Sequence, residues 1–179
     1  MKLILISGIS GSGKSTLGKL VAEKLKYRYI DQDQFYIKDK PSITLSNGKL
    51  VKNWDCRESL DVDKLEKKLV KAENTVLTGF ALRTDWIDFF RLAKVYEIMH
   101  IHLSIGDDPI SKTLKSRSRS KSDNIEFLKT DSLMVREIVY PVYLQTLKMS
   151  NIDRVIEVWN GDERRSVDQI LVEILSCID

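Results

Sequence analysis

Hydrophobic and polar residues alternate along the chain in a pattern that predicts strands separated by helices. Residues 3–6 form a short, continuously apolar run, which is typical of a strand buried on both faces. A glycine- and serine-rich turn follows at 8–13, and apolar residues then recur at helical spacing over 14–26. A second strand is predicted at 28–31.

The same alternation continues to the C-terminus. Further helices are predicted at 59–72 (with Asp61 or Ser59 as the N-cap), 109–121, 132–149 and 167–177. Further strands are predicted at 75–77, 95–103 and 154–158, whereas 37–53 contains Pro41 and Asn47-Gly48 and is interpreted as irregular. Strands that alternate with helices favour an α/β fold with a parallel, helix-covered sheet.

Composition narrows the class of protein. A chain of 179 residues that is 42% hydrophobic fits one compact domain, 1–179. Its net charge of +3 gives no reason to expect a nucleic acid or membrane partner. The cysteines, Cys56 and Cys177, lie far apart, and the apolar N-terminal run is too short for a signal peptide or a membrane span. We therefore expect a cytoplasmic protein.

The turn after the first strand carries a phosphate-binding motif. Residues 8–16 read Gly-Ile-Ser-Gly-Ser-Gly-Lys-Ser-Thr and satisfy G-x-x-x-x-G-K-[ST]. Glycines let the backbone N–H groups converge on phosphate oxygens, and the N-terminus of the following helix adds its positive dipole. Lys14 is predicted to reach the β- and γ-phosphates, and the Ser15 hydroxyl to bind Mg²⁺. The predicted ATP-binding residues of this loop are Gly8, Ser10, Gly11, Ser12, Gly13, Lys14, Ser15 and Thr16.

Two further segments carry candidate chemistry. Asp33 follows the second strand, whose carboxyl end lies beside the phosphate loop in a doubly wound sheet, so its carboxylate can accept the proton of an attacking hydroxyl. A solvated acidic turn is the alternative. Trp54 beside Asp55 can stack on a planar ring while the carboxylate accepts hydrogen bonds from ribose hydroxyls. The alternative is a tryptophan that only anchors its loop to the core.

Together these segments resemble the nicotinamide riboside kinase branch of the uridine-kinase-like P-loop kinases. No guanine-specificity motif Asn-Lys-x-Asp is present, which argues against a GTPase. The resemblance is carried by 8–15, Gln32-Asp33-x-Phe35-Tyr36, Trp54-Asp55 running into Ser59-Leu60-Asp61, 77–80, and Tyr140-Pro141-Val142-Tyr143-Leu144.

The resemblance implies a Rossmann-like three-layer αβα fold with about five parallel strands and a short helical lid near 113–135. It also implies ATP and Mg²⁺ as cofactors, a monomer, and transfer of a phosphoryl group to the 5′-hydroxyl of a ribonucleoside. Only about twenty residues separate Asp55 from Val76, and the Tyr-Asp-Phe hairpin of uridine kinases is missing. That favours nicotinamide riboside, with uridine or cytidine as the alternative.

The resemblance also assigns roles to individual residues. Asp33 and Lys14 are catalytic, and Asp33 and Ser15 lie at the metal. Asn160 lies near the adenine, and the lid arginines clamp the ATP phosphates. The lid arginines are Arg117 and Arg119; the acceptor-binding residues are Asp33, Gln34, Phe35, Tyr36, Trp54, Asp55 and Arg117.

The chain departs from the resembled family at Thr78, where an acidic residue usually orients Mg²⁺. A hydroxyl brings no negative charge, so a catalytically weak nucleotide-binding protein is an alternative. RNA binding through the arginine- and serine-rich tract at 115–122 is a third hypothesis.

Overall fold

The computed structural model describes residues 1–71, 73–80, 82–118 and 125–178, with the backbone alone at 117–118 and 125–127. The strands are β1 (Lys2–Gly8), β2 (Arg28–Asp31), β3 (Ser42–Thr44), β4 (Leu50–Lys52), β5 (Thr75–Gly79), β6 (Glu97–Ser104), β7 (Arg154–Glu157), β8 (Trp159–Asn160) and β9 (Glu163–Arg164). The α-helices are α1 (Lys14–Leu25), α2 (Val62–Leu69), α3 (Phe89–Ala93), α4 (Pro109–Ser118), α5 (Ile125–Met134), α6 (Tyr140–Met149) and α7 (Val167–Ile178).

Five of these strands form one parallel sheet in the order β2-β5-β1-β6-β7. The two short antiparallel hairpins, β3–β4 and β8–β9, lie outside it. The chain order reverses direction across β1, so the loop after β1 opens at the switch point where α/β sheets bind ligands. The predicted α/β fold with about five parallel strands is confirmed.

β1 is buried on both faces, as its apolar run predicts. Leu3 and Leu5 pack into a core with α2, whereas Ile4 and Ile6 pack into a second core with α1 and α7. Helices therefore cover both sides of the sheet, which gives the three layers. No helix in the described ranges is long and apolar enough to cross a membrane.

The segment predicted to be irregular contains an ordered hairpin instead. β3 and β4 pair across the turn at Asn47-Gly48, where Gly48 has a φ of 80°. The hairpin is fastened to α5 and the helical turn that follows it, because Glu137 accepts a hydrogen bond of 2.9 Å from the Ser46 backbone and Lys49 donates one of 3.0 Å to Thr130. The prediction of an irregular 37–53 segment is therefore wrong at 42–52.

Two predicted helices differ from the observed ones for local reasons. The helix predicted at 59–72 begins at Val62, because the Asp61 side chain caps it by accepting from the Lys64 backbone. The long helix predicted at 132–149 is interrupted by a π-helical turn at Val135–Val139. Pro141 lacks the N–H that an α-helix would use there, and the Tyr140 N–H donates to the carbonyl of Val135.

A chain of buried hydrogen bonds joins β1, β6 and α6 under the phosphate loop. Ser7 Oγ lies 2.7 Å from His100 Nε2 and 2.9 Å from His102 Nδ1, and His102 Nε2 lies 3.1 Å from the Tyr143 hydroxyl. His100 Nδ1 lies 3.0 Å from the carbonyl of Asn151, which only accepts, so this nitrogen carries the proton. The Ser7 hydroxyl then donates to His100, His102 donates to Ser7, and Tyr143 donates to His102. Both imidazoles are neutral.

Acid is expected to destabilise the fold through these two histidines, which are the only ones in the sequence. Burial lowers the pKa of each imidazole from 6.5 to about 4, and for His102 the neighbouring His100 lowers it further. The unfolded chain therefore takes up protons first as the pH falls. The free energy of unfolding is retained above pH 6.5 and declines as the pH approaches 4, by about 2 kcal/mol per imidazole at pH 5.

Urea unfolding at pH 7, 6 and 5 measures this decline. The variant His102→Gln keeps one donor and one acceptor but does not titrate, so it should show roughly half of the wild-type slope. A wild-type free energy of unfolding that is flat between pH 7 and 5 would contradict the prediction.

Candidate active site

The loop between β1 and α1 has the geometry of a phosphate nest. Gly11 and Gly13 have φ values of 88° and 94°, a left-handed conformation that glycine adopts without strain. Gly13 is the N-cap of α1, so the helix N-terminus faces the same space as Lys14. The loop therefore presents N–H groups and a cation to an anionic ligand.

Not every residue of the loop faces that ligand. The Ser12 side chain is fully buried, and its N–H donates to the carbonyl of Ile9 at 3.0 Å. Ser12 therefore shapes the loop from within, and its predicted contact with ATP is not supported by the geometry. α4 covers the loop from outside, since a side chain at Gly11 would meet the Cβ of Ser116 at 2.6 Å.

A cavity of about 180 Å³ opens next to the loop, lined by Ser10, Lys14, Asp33, Tyr36, Trp54, Asp55, Phe80, Met134 and Val139. The structure thus brings the predicted base, the predicted lysine and the predicted tryptophan–aspartate pair to one place. This volume is small beside the usual range of drug-sized pockets and suits a small-molecule acceptor. Met134 and Val139 were not predicted, because the π-helical turn that places them carries no periodic signal.

Aromatic rings form one wall of the cavity. The rings of Tyr36 and Trp54 meet edge to face with centroids 5.2 Å apart. The Trp54 ring also carries a cation, since Lys40 Nζ lies 3.8 Å from its centroid. Burial, and then the carboxylates of Asp55, Asp33 and Asp31, raises the pKa of the Tyr36 hydroxyl, so Tyr36 is a neutral hydrogen-bonding group.

Asp33, the predicted base, lines the cavity together with Lys14. Asp33 is an exposed residue, yet partial loss of hydration raises the pKa of its carboxyl above 3.8, Lys14 opposes this shift, and Asp31 adds to it. Lys14 lines the same cavity, so the carboxylate and the ammonium face the same space. A raised pKa makes the Asp33 carboxylate a stronger proton acceptor.

A cluster that the sequence did not reveal lies beneath the loop. The Tyr29 hydroxyl lies 2.8 Å from Asp31 Oδ2, 2.9 Å from Thr78 Oγ1 and 3.4 Å from the carbonyl of Ser15. Burial and the neighbouring Asp31 raise the pKa of this phenol to about 12, so it donates to the Asp31 carboxylate. Negative charge is thereby held near Ser15, although position 78 carries none.

This donor set fits Mg²⁺ bound mainly through a nucleotide. The described residues contain no group of three or more His, Cys, Asp or Glu side chains that could hold a metal ion alone. Mg²⁺ in phosphoryl-transfer sites keeps several waters and binds one or two carboxylates and the substrate phosphates. Ser15 and the carboxylates of Asp31 and Asp33 are the groups that would hold Mg²⁺ there.

The remaining predicted residues are not all at the cavity. Phe35 is buried in the core with Leu60, so its predicted contact with the acceptor is wrong: the turn at Gln32–Phe35 points it inward. Gln34 is exposed and does not line the cavity, and Thr16 is exposed on α1.

Asn160 lies on the β8–β9 hairpin in a separate groove. Arg117 is described by its backbone in α4, and Arg119 lies outside the described residues.

Comparison with known proteins points to kinases that act on small molecules. The family model described as shikimate kinase matches residues 10–46. A shikimate kinase from Persephonella marina is 52% identical over 92 residues, which cover 48% of this chain and 51% of that protein. A nicotinamide riboside kinase from Eremothecium gossypii is 37% identical over 68 residues, which cover 37% of this chain and 28% of that protein. The match to the Persephonella protein thus spans about half of its length.

Solved kinase structures superpose on nearly the whole chain. A gluconokinase from Sinorhizobium meliloti superposes with a TM-score of 0.55 at 18% identity, covering 98% of this chain and 90% of that one. A shikimate kinase from Aquifex aeolicus superposes with a TM-score of 0.53 at 18% identity, covering 98% and 95%. The fold is that of a P-loop kinase. P-loop kinases of the shikimate kinase family use ATP and Mg²⁺.

Helix α1 packs closely against β5 at Thr78. A side chain at Gly18 would meet the Thr78 Cγ2 atom at 2.1 Å, so Gly18→Ala is expected to destabilise the protein by about 1–3 kcal/mol. In an unconstrained helix the same change stabilises by up to about 1 kcal/mol. Thr78→Ser removes the obstructing methyl group and should restore much of the loss in the double variant.

Urea unfolding of the two single variants and the double variant tests this contact. If the losses in free energy of unfolding of the two single variants simply add in the double variant, Gly18 and Thr78 are not in contact. The same crowding makes Thr78→Glu a poor way to restore an acidic residue at this position.

Proposed function

We propose that this protein transfers the γ-phosphoryl group of ATP to the 5′-hydroxyl of a ribonucleoside, with nicotinamide riboside as the preferred acceptor and uridine or cytidine as the alternative. The observation that carries the proposal is the composition of the acceptor cavity. Aromatic rings and two carboxylates surround a space that opens directly beside Lys14 and the phosphate loop.

The charge of the cavity favours a neutral or cationic acceptor. Asp33 and Asp55 line it, and Lys14 is the one cationic side chain among its described lining residues. A carboxylic acid acceptor would face both carboxylates and compete with the donor phosphates for Lys14. The pyridinium ring of nicotinamide riboside is a planar cation, and in the proposal it takes the place of the Lys40 ammonium, which lies 3.8 Å from the centroid of the Trp54 ring.

The chain's own residues divide the work of the reaction. In the proposal, Trp54 stacks on the acceptor ring and Asp55 accepts hydrogen bonds from the ribose hydroxyls. Asp33 accepts the proton of the 5′-hydroxyl as its oxygen attacks phosphorus, and Lys14 with the loop N–H groups stabilises charge on the phosphoryl group. Mg²⁺, when bound near Ser15, neutralises phosphate charge. Arg117 and Arg119 stay proposed as lid arginines, and Asn160 as an adenine neighbour.

A polyhydroxy acid is the second candidate acceptor. The match of residues 10–46 to the shikimate kinase model and the superposition on a gluconokinase favour it. The idea of a catalytically weak nucleotide-binding protein loses support, because Asp31 supplies charge beside Thr78 through Tyr29.

We expect nicotinamide riboside to give the highest kcat/KM among candidate acceptors. ADP formation with Mg²⁺ and ATP would be measured for nicotinamide riboside, its uncharged dihydro form, uridine, cytidine, shikimate, gluconate and no acceptor. The dihydro form has nearly the same shape without the charge, so its kcat/KM should be about 3- to 30-fold lower if the cation matters. Trp54→Leu should remove most of that difference.

The outcomes separate the candidates. If only pyrimidine nucleosides stimulate ADP formation, the proposed mechanism stands with uridine or cytidine as the acceptor. Stimulation by shikimate or gluconate alone would establish the second candidate. ADP formation with none of them, despite ATP binding, would contradict the proposal.

Removing the proposed base should affect chemistry more than nucleotide binding. Asp33→Asn is expected to lower kcat by about 10²- to 10⁴-fold, a larger factor than its effect on Mg-ATP affinity, which also changes because Asp33 would lie at the metal. In the wild type, kcat should fall with decreasing pH through a pKa above the ordinary aspartate value of 3.8, because the protonated carboxyl cannot accept the hydroxyl proton.

Asp39→Asn is the matched control, since Asp39 is an exposed acid on the same segment that does not line the cavity. If Asp33→Asn kept the wild-type kcat, Asp33 would have no part in the reaction.

A further inference from the structure

The C-terminal hairpin brings an arginine to the phosphate loop that the roles above do not use. Arg164 lies on β9 opposite Trp159 on β8. A side chain at Gly13 would meet the Arg164 Nη2 atom at 2.8 Å, so the guanidinium rests against the backbone of the loop. Gly13 directly precedes Lys14 and caps α1, where the donor phosphates lie in the proposed function. The guanidinium therefore stands at the edge of the phosphate nest.

A second observation points to a ligand on the same hairpin. Arg164, Trp159 and Asn160 line an open groove of about 1120 Å³, which has room for the base and ribose of a nucleotide. Arg165 and the carboxylates of Glu157, Glu163 and Asp168 also line it, so the groove suits the uncharged part of the nucleotide and leaves the phosphates to the loop. Trp159 is only 6% exposed, and its Nε1 has no hydrogen-bond partner among the described residues. A buried N–H without an acceptor is unfavourable, so the described residues leave one donor unsatisfied in a residue that lines the groove.

We propose that Arg164 binds a phosphate of the donor nucleotide, adding a guanidinium to Lys14 and the loop N–H groups from the side of the C-terminal hairpin. The inference rests on the proposed function, because it requires ATP as the donor. A guanidinium presents parallel N–H donors that match two phosphate oxygens, which an ammonium does not. Glycine at position 13 then has a second role, because a larger residue would push the guanidinium away from the nest.

The neighbouring arginine offers a matched control. Arg165 donates to the carbonyl of Glu157 at 2.6 Å and forms an ion pair of 2.6 Å with Glu173 on α7. Arg165 therefore fastens the hairpin to the C-terminal helix, and both of these contacts are structural. Arg165→Gln removes the same charge from the same hairpin without removing the group next to Gly13.

The test is calorimetric binding of Mg-ADP and of adenosine to the wild type, Arg164→Gln, Arg164→Lys and Arg165→Gln, together with the thermal midpoint of each free protein. Arg164→Gln should weaken Mg-ADP binding about tenfold or more, the loss of one charge-assisted interaction, and leave adenosine affinity unchanged. Arg164→Lys should recover part of the affinity. Arg165→Gln should lower the thermal midpoint and, although Arg165 also lines the groove, weaken Mg-ADP binding much less than Arg164→Gln does.

Equal Mg-ADP affinity in the wild type and Arg164→Gln would overturn the inference and leave the proposed function standing. Equal losses for Mg-ADP and adenosine would also overturn it, because the arginine would then only support the loop. A wild type that binds neither Mg-ADP nor Mg-ATP would overturn the proposed function and the inference with it.

Discussion

The left-handed backbone at Gly11 and Gly13 is the constraint on which the rest of the site depends. Each glycine lets the loop turn back on itself, and each also leaves space that a neighbour fills. Ser116 of α4 occupies the space beside Gly11, and the Arg164 guanidinium occupies the space beside Gly13. The helix and the hairpin can therefore both rest directly on the loop backbone. A side chain at either position would separate one of these elements from the phosphate nest.

Charge is distributed unevenly around that nest. Lys14, the N-terminus of α1 and Arg164 lie where donor phosphates are proposed to bind, whereas Asp33 and Asp55 line the cavity in which the acceptor is proposed to bind, with Lys14 at its edge. Such a gradient favours an anionic donor on one side and an acceptor without negative charge on the other. The neutral chain through Ser7 and His102 lies under the loop and adds no charge to either side.

Features that depend on local sequence were predictable. The apolar run of β1, the glycine spacing of the loop and the capping aspartate at 61 each act within a few residues, so the sequence pattern contains them. The β3–β4 hairpin was missed because its Asn47-Gly48 turn, a strong hairpin signal, is flanked by strands of only three residues each. Phe35 was misplaced because the short turn at 32–35 sets its direction and leaves no periodic trace.

The contacts that complete the site join residues distant in sequence. Tyr29 meets Thr78 across 49 residues, and Arg164 reaches Gly13 from the far end of the chain. Nothing in the sequence around Tyr29 or Arg164 marks either residue, and only the folded chain brings each one to its partner. The loop and the proposed base could therefore be predicted from the sequence, whereas the groups that surround them could not.

The bonds from Ser46 to Glu137 and from Lys49 to Thr130 have a consequence for how acceptor preference could change. They link the hairpin that precedes Trp54 to the helical segment that carries Met134 and Val139. The two walls of the acceptor cavity are thus tethered, and a hairpin transplanted from another kinase would lose its anchor unless its partners on the helix came with it. Divergence toward a new acceptor in this fold should therefore proceed by paired exchange of both segments.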